Sequence, residues 1–261
     1  MLYHRIGRAL AVSVVLLALV IGGAYGLAGC GEGSDNGGGT TSPAEGSITH
    51  PAGENEVVLR VSTGGGYVPV EYNLTQLPKF TLYGDGTVIV TGPVIKAYSG
   101  PALPNLQTAT ISEEAVQAIL SAARKAGLFA NGVDYGEPQV TDLGTTTITV
   151  NADRTIHQAD IYALGAESEA GGLARKQKRA RAAISDLVGK LLDLTAFETG
   201  ELQWTAYEYP ALAVFSRTVD SGLDPGTYGA EPNRLEWPLG DLSTLGEAVR
   251  PASYRKVVVS G

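Results

Sequence analysis

The chain has 261 residues, 44% of them hydrophobic, and 19 Lys+Arg against 27 Asp+Glu give it a formal net charge of −8. That acidic balance argues against nucleic acid as a partner, since polyanions repel. A single cysteine excludes an internal disulfide and three histidines leave little for a His/Cys zinc site, so folding must rest on an apolar core, for which about 200 residues suffice.

Met1 to Arg8 carries Arg5 and Arg8 and no acid, and Ala9 to Gly29 then runs 21 residues without a charge. A basic head before an apolar stretch is the pattern of an export signal. A stretch of about 20 apolar residues can also span a bilayer, but Gly22, Gly23 and Gly26 weaken a permanent helix here. The stretch closes on Leu27-Ala28-Gly29-Cys30. This tetrapeptide resembles the lipobox of bacterial lipoproteins at all four positions. The resemblance implies a signal peptide over 1–29, cleavage between Gly29 and Cys30, and a diacylglyceryl group on the Cys30 sulfur. It also implies residence at the extracytoplasmic face of the cell membrane. The residue types suit that chemistry, because a thiol is the best side-chain nucleophile for a thioether and Ala28 and Gly29 leave room for a peptidase. Two acyl chains, at ~0.8 kcal/mol per buried methylene, anchor stably. Without the leader the chain has 17 basic and 27 acidic residues, a net charge of −10. Arginine outnumbers lysine and Gly and Ala are abundant, which fits a GC-rich bacterium.

Residues 30–54 are expected to be the lipidated cysteine and a flexible tether. Gly, Ser, Thr and Pro dominate Gly31 to Glu54, with Ile48 the lone large aliphatic residue. Such a composition cannot bury enough to offset its ordering entropy, and as a coil it would reach about 27 Å. His50, inside it, is expected to be solvated.

From 55 to 261 the pattern is that of a single extracytoplasmic domain. Glu56 to Thr63 is β-rich, Gly64-Gly65-Gly66 interrupts it, and Tyr67 to Tyr72 reads as a second run that Pro69 confines to an edge or bulge. Lys79 to Thr91 is a hairpin about a two-residue Asp85-Gly86 turn. Ser112 caps a helix that opens with Glu113 and Glu114, buries Val116, Ile119, Leu120 and Ala123, and ends at Gly127. Thr145 to Val150, a turn at Asn151 to Arg154, and Thr155 to Ala163 form a second hairpin. Leu173 to Leu194 is a long amphipathic helix with Ala180, Ile184, Leu187, Val188 and Leu191 at helical spacing. Strands at Ala211 to Thr218 and Arg255 to Ser260, a Gly/Pro-rich loop at Asp220 to Pro232 and a short helix near Leu242 to Ala248 complete it. The order strands, helix, strands, helix predicts an α+β fold: antiparallel hairpins with two helices on one sheet face, then a third β-rich segment.

The lipobox with this domain is similar to uncharacterised actinobacterial lipoproteins. Within 57–194, the order of elements and the early glycine pair resemble emfourin-type inhibitors of secreted metalloproteases, which implies a binding or inhibitory role and no particular inhibitory residue.

Chemical candidates are few. HExxH, GxSxG and Walker motifs are missing, so no catalytic, cofactor or metal residue is assigned and no cofactor is expected. His157 in a strand is the sharpest candidate base, set against a solvent-facing or structural histidine. Ser253-Tyr254-Arg255-Lys256 fits S-x-x-K without its companion motifs. Gly64-Gly65-Gly66 lacks the lysine and helix of a phosphate loop and reads as a turn or bulge. Asp134, Glu137 and Asp142 share one loop that could hold calcium, without EF-hand spacing. Arg175, Lys176, Lys178, Arg179 and Arg181 form a basic run for anionic headgroups or wall polymers, or a solvated helix face. Trp204, Tyr207 and Tyr209 could stack on a ligand or cover the sheet edge. The expectation is a membrane-tethered, non-catalytic binding or inhibitory module whose membrane contact is lipid on Cys30 and whose partner is an unidentified protein or cell-wall ligand. A carboxylate-based envelope hydrolase and a structural envelope component are the alternatives.

Overall fold

A computed structural model describes residues 46–94, 103–167, 171–217, 236–238, 240–241, 243–249 and 254–260. The leader, Cys30 and the Asp220 to Pro232 loop lie outside them. The fold is α+β with antiparallel sheets, as the order of elements implies.

The first strand, β1 (Val57–Gly64), lies inside the main sheet, and the chain builds outward from it on both sides. On one side lie β2 (Phe80–Tyr83), β3 (Thr87–Thr91), β4 (Leu106–Thr110) and the short β7 (Thr205–Ala206). On the other lies the hairpin of β5 (Thr145–Ala152) and β6 (Thr155–Tyr162). The seven strands run in the order β6-β5-β1-β2-β3-β4-β7, every neighbour antiparallel.

Because side chains alternate along a strand, register decides which residues share a face. Val61 sits opposite both Phe80 and Ile148, and Leu59 opposite both Leu82 and Val150. Val88, Val90 and Ile161 join them, and all are buried. The opposite face is polar and rich in threonine: Arg60 lies between Thr81 and Thr149, and Thr147 between Ser62 and Asp160.

Two helices cover the apolar face. In α2 (Glu113–Lys125) the Ser112 hydroxyl accepts from Ala115 N at 3.2 Å, and the expected stripe of Val116, Ile119, Leu120 and Ala123 is buried. Gly127, at φ 92°, ends it: its N–H donates to Arg124 O, and Leu128 N–H to Ala123 O, a Schellman closure. From α3 (Arg175–Asp193) come Ile184, Leu187 and Leu191. A large aliphatic side chain so buried contributes about 1.5–3 kcal/mol.

The structure differs from the expected elements in several places. The Tyr67 to Tyr72 run is no strand; Val70–Leu74 is a single helical turn, α1, for which Pro69 supplies the fixed entry angle. The β2–β3 loop holds three residues, Gly84 to Gly86, and the β5–β6 turn only Asp153 and Arg154. Gly86, at φ 82°, is obligatory, since a Cβ there would lie 2.5 Å from Ile111 O. No helix forms within Leu242 to Ala248 among the described residues; β9 (Glu247–Val249) overlaps it and joins β8 (Ala211–Ser216) and β10 (Tyr254–Ser260) in a second sheet, β8-β10-β9.

The largest correction is at the start. Residues 46–54, expected as tether, are docked. Ile48 is 5% exposed and part of the core. Its N–H donates to Gln117 Oε1 at 2.8 Å and its carbonyl accepts from Gln117 Nε2 at 2.9 Å. Thr49 donates through N and Oγ1 to Asp153 Oδ1, and Asp153 N–H donates back to Thr49 O at 2.7 Å. The described residues fall in one compact unit. Among the described residues no helix is long and apolar enough to cross a membrane.

Candidate interaction surface

The titratable candidates resolve into structural roles. His157 lies on the helix-covered side of β6, half-buried. Its ring stacks on Phe129 at 4.8 Å, and the Arg124 guanidinium lies 4.9 Å from the centroid of that phenyl. No carboxylate engages it among the described residues, so it lacks the oriented partner a general base requires. His50 is not solvated: its imidazole is largely buried, with Nδ1 2.6 Å from Pro51 O and Nε2 3.1 Å from Glu113 Oε1.

Asp134 accepts from Gln177 Nε2 at 2.9 Å and Gly136 N at 2.8 Å, bonds that hold its carboxyl below the usual range. Asp142 accepts from Thr141 Oγ1. Glu137 is exposed, and among the described residues no three metal-binding side chains are gathered. Ser253 of the S-x-x-K run lies outside the described residues, while Lys256 pairs loosely with Glu247 at 3.9 Å. Trp204 packs against the core from β7's flank, which is the covering role; Tyr207 and Tyr209 meet edge to face at 5.4 Å, with the Tyr209 hydroxyl bonded to Pro104 O.

The basic run divides. Arg175, Lys176, Lys178 and Arg179 are exposed, but Arg181 is fully buried. Its guanidinium donates to Glu167 Oε1 at 2.9 Å, Tyr162 O at 2.8 Å and Ala163 O at 2.6 Å. It thus closes the end of β6, where Ala163 takes φ 51°. The Glu167 carboxyl is pushed up by burial, yet N–H bonds from Gly165 and its own backbone, with Arg181, hold it below the usual range.

An unsuspected carboxylate is Glu198, which accepts from both N and Oγ of Ser112 at 2.8 Å and from Gly200 N at 3.1 Å. The Ser112 and Gly200 backbone bonds, then the Ser112 hydroxyl, bring its pKa down to about 2. It braces the N-terminus of α2 rather than facing a cleft.

Apolar surface is concentrated on the connection between β1 and β2, residues 65–78. Gly65 and Gly66, at φ 77° and 84°, turn the chain out; a Cβ on Gly66 would lie 2.9 Å from Asp142 O. The triplet is therefore a turn, as its composition implied. The excursion is braced: Gly65 N–H donates to Asn73 Oδ1, and Tyr67 N–H to Asp142 O. Glu71 accepts from the Tyr254 hydroxyl and pairs with Arg217 at 3.1 Å, tying α1 to the second sheet. The Tyr254 bond is the main cause holding the Glu71 carboxyl down.

On this rigid base Tyr67 is 87% exposed and Tyr72 53%, with Val70 and Leu77 exposed beside them, and α1 buries no residue. Leu77, Pro104 and Leu192 line an adjoining shallow groove of about 500 Å³. Exposed apolar side chains held on a braced loop are the usual make-up of a protein contact. The sequence signal was the aromatic pair flanking Pro69, read instead as strand. Comparisons with protein-family models, curated proteins and solved structures find no match to this chain.

Proposed function

We propose that the chain is a lipoprotein, cut before Cys30, tethered by lipid on that cysteine to the extracytoplasmic face of the membrane, and that its domain is a non-catalytic binding or inhibitory module for a protein partner. Leu27-Ala28-Gly29-Cys30 after an uncharged stretch supports the anchor. The observation carrying the binding role is the braced apolar excursion with Tyr67 and Tyr72 facing outward. Large amphipathic rings that lose little entropy on contact are the residues that dominate protein interfaces. Catalysis receives no comparable support, since the well-placed carboxylates described, Glu198, Asp134 and Glu167, are occupied by hydrogen bonds from the fold itself.

Two measurements test the reading. Palmitate labelling in a bacterial host should depend on Cys30, and labelling retained in Cys30→Ser would remove the anchor. A photo-crosslinking residue at Tyr67 should give a discrete protein adduct on intact cells, while one at Glu114, on the exposed side of α2, should give none. Equal or absent adducts from both positions would remove the binding surface.

A further inference from the structure

We propose that the outer edge of β6 is a docking strip on which an extended acidic segment of another protein adds as an eighth strand. The edge is built for pairing. Asp153 and Arg154, at φ 50° and 60°, make a two-residue turn, and β5 and β6 then pair over eight residues without a bulge. Such a turn makes Ala152 and Thr155 a hydrogen-bonded pair. Alternation along an antiparallel ladder then points the N–H and C=O of Ile156, Gln158, Asp160 and Tyr162 away from β5. The Arg181 contact to Tyr162 O, from outside the ladder, agrees with that assignment. The backbone groups of Ile156, Gln158 and Asp160 make no other hydrogen bond among the described residues. They form three consecutive rungs.

Natural edge strands are shielded by proline, lysine, bulges or brevity. The opposite edge, β7, is two residues long and followed by Pro210. The sequence of β6, TIHQADIY, has no proline or lysine, and Ile156 stands 68% exposed.

Charge selects the partner. Arg154 is exposed at the head of the strip. Arg181 holds the first half of α3 to the strip's tail, which brings the exposed Arg175, Lys176, Lys178 and Arg179 to that end. These cations stand in the first turns of α3 with no acid among them, where the helix dipole disfavours positive charge. The one carboxylate on β6, Asp160, is engaged by Thr147 and Gln158. The strip is thus a basic stretch of an acidic chain. A second copy is the poorer occupant, because antiparallel self-pairing would set Arg154 of one copy toward the α3 cations of the other.

The test is fluorescence anisotropy with the full chain in detergent micelles and a short blocked peptide alternating threonine and glutamate. Binding is expected, and a threonine–lysine peptide should not bind. The same acidic peptide N-methylated at alternate residues keeps its charge but loses its rungs, so it should bind about tenfold more weakly or not at all. Gln158→Pro removes an outward N–H without touching the β5 ladder and should weaken binding by about tenfold with folding retained. If that variant does not fold, the methylated peptide on the unaltered protein still decides. Equal binding of the methylated peptide, no binding of any peptide, or sedimentation as a dimer that Gln158→Pro dissociates would each overturn the proposal. None of these readouts depends on the Tyr67 surface or on Cys30.

Discussion

Arg181→Ala offers the sharpest check on how the domain is held together. The guanidinium is fully buried and bonds to Tyr162 O, Ala163 O and Glu167 Oε1, all within 2.9 Å. Its removal strands the Tyr162 carbonyl and takes the cation from a carboxylate that is 21% exposed, while Ala163 O keeps the Ala166 N–H and Glu167 the Gly165 N–H. An orphaned buried polar group costs ~1–3 kcal/mol, and breaking a buried ion pair from one side typically costs about 3–5 kcal/mol in total. Water can reach the Glu167 side, which places the loss near the lower end, about 3 kcal/mol. For a domain of this size, at ~2–4 °C per kcal/mol, the melting temperature should fall by roughly 10 °C. Arg181→Lys keeps the charge but not the planar fork, so it should fall between wild type and Arg181→Ala. Thermal unfolding followed by circular dichroism at neutral pH measures all three. A loss below about 1 kcal/mol for Arg181→Ala, within the range of an exposed salt bridge, would refute the view that this residue closes β6 onto α3.

Ile48→Ala should cost about 2–4 kcal/mol if that residue is core, against nothing measurable if it belonged to a tether; chemical denaturation distinguishes the two. Glu198 has a folded pKa of about 2 against an ordinary 4.5. Its stabilisation is therefore fully present above the unfolded value and is lost as pH falls toward 2, so Glu198→Gln should flatten the acid limb of a stability–pH curve in that window. An unchanged acid limb would contradict the Ser112 bonds. His157→Ala should leave partner binding as in wild type; a hundredfold loss with an unchanged melting temperature, the size of effect a catalytic base produces, would return that histidine to the centre of the molecule's chemistry.

How legible the molecule was varies by residue, for physical reasons. α2 could be read almost whole because cap, stripe and stop are local: Ser112, four apolar residues at helical spacing, and Gly127. The hairpins were legible for the same reason, although Asp153 and Arg154 adopt positive φ without the usual Asn-Gly. Arg181 was misread as surface because its partners Tyr162 and Ala163 offer backbone carbonyls, which carry no sequence signature. Ile48 was misread because one aliphatic residue among glycines gives no periodicity, and its fixing point, Gln117, lies 69 residues away. The β6 edge was invisible for another reason, since an unpaired edge follows only from strand order.

The docking of residues 48 and 49 gives the domain a mechanical property. A pull arriving from upstream of Gly46 does not act first on β1, the interior strand whose loss would unzip the sheet from both sides. It meets the Ile48–Gln117 and Thr49–Asp153 ties ahead of that interior strand, and these join points 69 and 104 residues apart in the chain. Tension is thereby divided between the middle of α2 and the tip of the β5–β6 hairpin before it reaches β1. A pull from upstream would therefore meet these two ties as a cable's strain-relief collar meets a tug, ahead of the first strand.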